Sequence, residues 1–129
     1  MSDTTQRASS GSPYEDRYAF SRAVRVGQRV LVAGTAPIEP DGSCAPDVRA
    51  QARRCFAIIG AALTQVGADL DHVVRTRMYL TDPRDADLVG QVHAEVFARA
   101  RPAATMVVVA ALLDPAWRVE IEAEALIAQ

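Results

Sequence analysis

Two cysteines and two histidines are all that this 129-residue chain offers to a disulfide or a soft metal. Cys44 and Cys55 are too few for a disulfide framework. They are expected as reduced thiols, Cys44 in a loop and Cys55 on the buried side of a helix. His72 and His93 stand far apart without a ligand-spaced neighbour, so no metal site is expected. An excess of charge of one sign is lacking too: 14 Lys+Arg against 16 Asp+Glu leave a formal charge of -2. A nucleic-acid binder normally carries a basic surplus or stripe. The one local cluster, Arg22, Arg25 and Arg29, has no interleaved aromatics and reads as a solvated or ion-paired face. No apolar run approaches the ~20 residues that span a bilayer. Residues 1–16 also lack the apolar core of a secretion signal. These absences point to a cytoplasmic protein with no membrane or nucleic-acid partner.

What is present is the composition of a soluble globular domain, 50% hydrophobic and 23% charged. The length suits one core. Residues 1–16, rich in Ser, Thr and Asp with Gly11 and Pro13, read as a flexible N-terminal arm, free or ordered by a neighbour. Residues 17–129 read as a single domain. From Phe20 to Gly34 β-branched residues crowd around a Gly27-Gln28 turn, which predicts a hairpin. Pro37, Pro40, Asp41 and Gly42 then break regular structure.

The clearest signal is helical. Val48, Ala52, Cys55, Phe56, Ile59, Ala62, Leu63 and Val66 recur at spacings of three and four, after a candidate cap at Asp47 and before Gly67. Val73–Leu80 alternates as a strand. Asp82-Pro83 opens a second helix with a stripe of Leu88, Val89, Val92, Val96 and Phe97. Two strands follow, 103–112 and 118–127, separated by Asp114-Pro115. The order β-β-α-β-α-β-β predicts a two-layer α+β domain whose helices cover one sheet face. Apolar residues of the last strands, Met106, Val108 and Leu126 or Ile127, are expected on the other face, which calls for association.

Glu120, Glu122 and Glu124 alternate with Val119, Ile121, Ala123 and Ala125, so a strand places the three carboxylates on one face. They are either a charged row paired with Arg75 and Arg77 across the sheet, or they include a base. His93 on the second helix is a partly exposed helix histidine or a general base. Tyr79 and Trp117 are most simply core or interface residues.

Several stretches, in order, resemble the Rid (YjgF) family of small trimeric proteins and together span residues 20–127. They are Val24-Arg25-Val26-Gly27 running to Gly34-Thr35-Ala36-Pro37, Gln51-Ala52-Arg53, Val73-Val74-Arg75-Thr76 running to Thr81-Asp82, Arg101-Pro102-Ala103-Ala104-Thr105, and Val119-Glu120-Ile121-Glu122-Ala123. The resemblance implies a chorismate-mutase-like (YjgF-like) fold, a homotrimer and small-molecule clefts between subunits, with no cofactor. It makes Glu120 the residue that handles the water attacking an imine carbon. Phe20, Ala33, Gly34, Thr35, Gly90, Ala104 and Met106 fall at its substrate-binding positions, with His93 and Arg77 as further candidates.

The departures matter as much. Where the family's deaminases carry a carboxylate-gripping arginine, this chain has Ala104. Phe20, Ala33, Gly90 and Met106 stand for tyrosine, serine, asparagine and cysteine. No shorter side chain reproduces an arginine's two parallel charge-assisted bonds. Arg101, three residues earlier on an extended chain, is expected to face the other way, while Arg22 or Arg77 could reach the site from another strand or subunit. The expectation is hydrolysis of an imine or enamine that is not an amino-acid-derived carboxylate. The alternative is a non-catalytic trimer that binds a small molecule or a partner through a degenerate cleft.

Overall fold

Asp47 starts the longest element of the structure, a computed structural model that describes residues 5–127. Its carboxylate accepts the free N–H groups of Arg49 and Ala50, and helix α2 then runs Val48–Gln65. Gly67, at φ 80°, supplies the left-handed turn beyond its end. All eight residues of the predicted apolar stripe are buried, and so is Gln51. The second helix, α3 (Ala86–Val96), buries Val89 and Val92, with Phe97 just past its end. Leu88 and Val96 pack at the margin of the same core.

The strands are β1 (Gln6–Ala8), β2 (Ala23–Val26), β3 (Arg29–Thr35), β4 (Val73–Leu80), β5 (Ala103–Val108) and β6 (Val119–Leu126). They form one sheet in the order β1-β2-β3-β6-β4-β5, antiparallel except for the β4–β5 pair. The predicted β-β-α-β-α-β-β order is therefore present, in a two-layer α+β fold. Two elements precede it in or across the end of the stretch read as an arm: β1 extends the sheet, and helix α1 runs Pro13–Tyr18, past the arm's expected end at residue 16. Residues 1–4 of that stretch lie outside the described residues. Ser12 caps α1 through Tyr14 N–H and Pro13 takes the first turn, where no N–H is needed.

The helices cover the face formed by Val30, Val32, Thr76, Met78, Leu80, Val119, Ile121, Ala123 and Ala125. Contrary to the sequence expectation, Met106 packs against this core and Val108, paired with Leu80, shares its face; of the alternatives Leu126 and Ile127, it is Ile127 that packs against the core. Pairing register puts Val26, Leu31, Val107 and Leu126 on the open face, all more than a third exposed. The reason is register, which reverses a strand's faces with each one-residue shift. Between them runs the row Arg75, Arg77, Tyr79, Glu120, Glu122 and Glu124.

Candidate functional site

Gln51 explains how β6 is aimed. Wholly buried on α2, its amide donates to the carbonyls of Ala45 (2.7 Å) and Ala116 (3.0 Å) and accepts from Arg118 N–H (2.8 Å). Arg118 in turn grips the buried Asp85 through two nitrogens, at 2.6 and 3.1 Å. The chain entering β6 is thus clamped two residues before Glu120.

The carboxylates of β6 then divide. Glu122 accepts Tyr79 Oη at 2.5 Å and Arg77 Nη1 at 3.2 Å. Glu124 accepts the same Arg77 nitrogen at 3.2 Å and Arg29 Nη2 at 3.1 Å. The bond to Glu122 raises the Tyr79 pKa, which keeps that phenol protonated. Glu120 has no hydrogen-bond or ion-pair partner among the described residues, although it is half-buried. Burial raises its pKa, with Glu122 adding to the rise and Arg22 opposing it.

Gly34 makes room for this carboxylate. The β3–β6 pairing shifts between Val32 and Thr35, and Glu120 Oε2 lies 2.5 Å from where a Cβ on Gly34 would stand. Beneath the corner lies Arg22, 5% exposed. Its Nη1 donates to Gly34 O (2.6 Å) and Thr35 Oγ1 (3.2 Å), its Nε to Glu15 Oε2 (3.1 Å), and its guanidinium lies 5.3 Å from the Phe20 ring centre. Phe20, Ala33, Gly34 and Glu120 therefore gather at one corner. Thr35 joins them from below: it is buried, and its hydroxyl is taken up by Ala33 O and Arg22.

The other candidates stand elsewhere. Ala104 is exposed on β5, paired with Thr76. Thr76 belongs to the helix-covered face, so Ala104 and Met106 do too. Above them on α3, His93 Nε2 meets the buried Thr76 Oγ1 at 2.9 Å, and the ring packs beside Phe56 and Phe97. Burial lowers the His93 pKa and favours the neutral imidazole. Gly90, one turn earlier, has open space where a Cβ would be. Arg77 is committed to Glu122 and Glu124 on the open face.

Arg101 departs from the sequence expectation. Its φ is +46°, and β5 begins only at Ala103, so strand alternation does not reach it. It borders a depression of about 370 Å³ together with His93, Phe97 and Pro102, on the helix side where Ala104 also lies. Sequence reasoning missed Glu15, the partner of Arg22. The signal was present as Ser12-Pro13-Tyr14-Glu15, a helix start with an acid at its third position. Among the described residues no group of three His, Cys, Asp or Glu could hold a metal ion, and no helix is long and apolar enough to cross a membrane.

The two gatherings cannot meet within one chain. Glu120 pairs with Tyr79, and Ala104 with Thr76, across the intervening β4. At ~4.8 Å per strand and ~3.3 Å per residue, their backbones lie about 14 Å apart within the sheet, and the two residues belong to opposite faces of it.

Comparison with known proteins places this geometry. The family model described as Endoribonuclease L-PSP matches residues 13–127. A crystal structure from Mycobacterium tuberculosis, described as a member of the highly conserved YjgF/YER057c/UK114 family, is 45% identical with a TM-score of 0.88. It covers 95% of this chain and 99% of its own. An uncharacterized protein of Streptomyces coelicolor is 38% identical over 125 residues, 96% of this chain and 93% of that one. The mouse 2-iminobutanoate/2-iminopropanoate deaminase is 32% identical over 106 residues, 81% of this chain and 78% of that one.

Proposed function

The chain belongs to the Endoribonuclease L-PSP (YjgF/Rid) family, and on that premise we propose that it hydrolyses an imine or enamine without a cofactor, Glu120 serving as the base. The observation that carries this reading is the unpaired, half-buried Glu120 beside two fully paired glutamates of the same strand and face. A carboxylate kept dry and unpartnered is a better base than a solvated one, because its proton affinity moves toward the working pH. Deaminase relatives at modest identity point the same way.

The step is a hydrolysis. Glu120 accepts a proton from water as the water oxygen bonds to the imine carbon. The C=N π electrons move to nitrogen, which takes that proton from Glu120 and so gives a neutral carbinolamine. The regenerated carboxylate then relays the carbinolamine hydroxyl proton to the nitrogen as the C–N bond breaks, which releases ammonia, leaves the carbonyl product and restores the carboxylate. An imine bearing its own carboxylate would meet Glu120 with no guanidinium at position 104 to offset it. An uncharged or protonated imine without a carboxylate fits better.

The cleft itself is proposed to join two copies of the chain, as in a homotrimer. One copy contributes Phe20, Ala33, Gly34 and Glu120, the other Gly90, His93, Ala104 and Met106. The separation of these sets across the sheet supports that arrangement, as do the exposed Val26, Leu31, Val107 and Leu126. Loss of the polar handles at Phe20, Ala33, Gly90, Ala104 and Met106 favours a second reading, a trimer that binds a small molecule without turning it over.

The deciding experiment measures ammonia release from a carboxylate-free ketimine and from freshly generated 2-aminoacrylate. The unmodified protein is expected to act on the first, and Glu120→Gln to lose about 10²–10⁴-fold. Ala104→Arg is expected to gain activity on the second. Silence of the unmodified protein and of Ala104→Arg on both substrates would leave the binding reading in place.

A further inference from the structure

Arg22 is held from every side, and its bonds end beneath the proposed base. Its backbone is pinned first: Arg22 N–H donates to Ala8 O and Ala33 N–H donates to Arg22 O, both at 2.9 Å. Its side chain is then committed at Nε to Glu15 and at Nη1 to Gly34 O and Thr35 Oγ1. Glu15, itself 5% exposed, is fixed in turn by Ser9 Oγ (2.9 Å) and by Ser10 through both its hydroxyl (2.5 Å) and its N–H. Surface ion pairs are not built this way. A buried pair held by this many bonds costs desolvation and favours one geometry in return.

We infer that the Glu15–Arg22 pair is a positioning unit, which fixes the Gly34 corner under Glu120 and sets a cation beside that carboxylate. This deepens the reading of Glu120 as the base and rests on it for the consequence in turnover. The carbonyl of Gly34 is the atom Arg22 holds, and the same residue is the one whose missing side chain leaves room for Glu120 Oε2. Displacing Arg22 therefore frees the corner that Glu120 rests on. The groups that bear on the Glu120 charge are few: Arg22 ahead of β2, Glu122 on its own strand, Tyr79 from β4 and the buried Cys55 from α2. Arg22 is the cation among them. Glu15 acts only through it, neutralising part of its field.

The two members of the pair should thus move Glu120 in opposite directions. In the full-length protein with ¹³C-labelled glutamate carboxyls, the Glu120 resonance is assigned by its loss in Glu120→Gln and followed through a pH titration. Arg22→Met is expected to move its midpoint to higher pH, since an attractive charge is gone. Glu15→Gln is expected to move it to lower pH, since Arg22 is no longer neutralised. The acid limb of kcat/KM on the ketimine should follow each shift. A pair that only stabilises the fold would lower Tm in both variants and leave the midpoints in place, or carry both the same way. Either result overturns the inference. Should Arg22→Met not fold, Glu15→Gln decides alone, with an unmoved or raised midpoint counting against it. The titration needs no turnover, so a protein that hydrolyses no imine would sink the reading of function while this test still returned its answer.

Discussion

Glu120 and Glu124 lie four residues apart on one strand and one face, yet the sheet treats them as different chemical objects. At the Glu124 end the neighbouring strands supply Arg29 and Arg77, and Tyr79 joins through Glu122. Charge meets charge in a half-exposed ladder, an arrangement that contributes little to stability. At the Glu120 end β3 departs from regular pairing, Gly34 has no side chain to crowd the carboxylate, and the nearby Arg22 is already committed to Glu15, Gly34 and Thr35. What separates the proposed base from a paired carboxylate is thus the number of donors that the adjacent strands bring. The residue type is the same.

That contrast can be broken most severely in activity. Whereas Glu120→Gln is expected to remove turnover, Glu122→Gln and Glu124→Gln should stay within a few-fold of the unmodified protein in kcat on the same ketimine. A loss at Glu122 equal to that at Glu120 would show that the row works as a unit.

Next in size is Gly34→Ala. The new methyl would stand 2.5 Å from Glu120 Oε2, the far end of a side chain that can swing away. The fold should therefore survive, with Tm close to the unmodified protein. Displacement of the base by about 1 Å should cost on the order of 10–100-fold in kcat. Full activity in this variant would mean the corner does not position Glu120.

Smaller effects lie in stability, and they have opposite signs at the two ends. Burial raises the Glu120 pKa, helped by Glu122 and opposed by Arg22. The folded protein then holds that proton more tightly than the unfolded chain does, so stability falls as pH rises above the ordinary carboxylate value. Glu120→Gln should accordingly unfold at higher temperature than the unmodified protein at pH 7, and the gap should close as the pH is lowered to the ordinary carboxylate range. Arg77→Met removes the shared donor of Glu122 and Glu124 and should lower Tm slightly, the loss shrinking in high salt. Thermal unfolding of both variants across pH and ionic strength checks these signs.

How much of this was legible in sequence depended on whether the governing interactions were local. The Asp47 cap, the 3–4 repeat from Val48 to Val66 and the turn at Gly67 act within a few residues of one another, and α2 follows them closely. The alternation of Val119, Ile121, Ala123 and Ala125 likewise sorted β6 into its two faces. The short elements escaped. Three residues of β1 cannot display a period, and six residues of α1 hold less than two turns, although Ser12-Pro13 announced its start. Arg101 was misplaced because alternation was carried past the end of its strand, into a residue at positive φ.

At the site, the family pattern singled out positions 104 and 120, and no rule of spacing says on which face of a sheet two distant strands will present them. The non-local pairing decided that, by inserting β6 and β4 between β3 and β5. It also decided which carboxylate went unpaired, and it seated Glu15 of α1 against Arg22, just ahead of β2, beneath the Gly34 corner. By itself, then, the sequence determined the two long helices, the alternation of β6 and the family, because capping, periodicity and turn chemistry act over a few residues. The tertiary structure alone decided the Glu120 corner, because burial and the count of available donors exist only once distant strands have met.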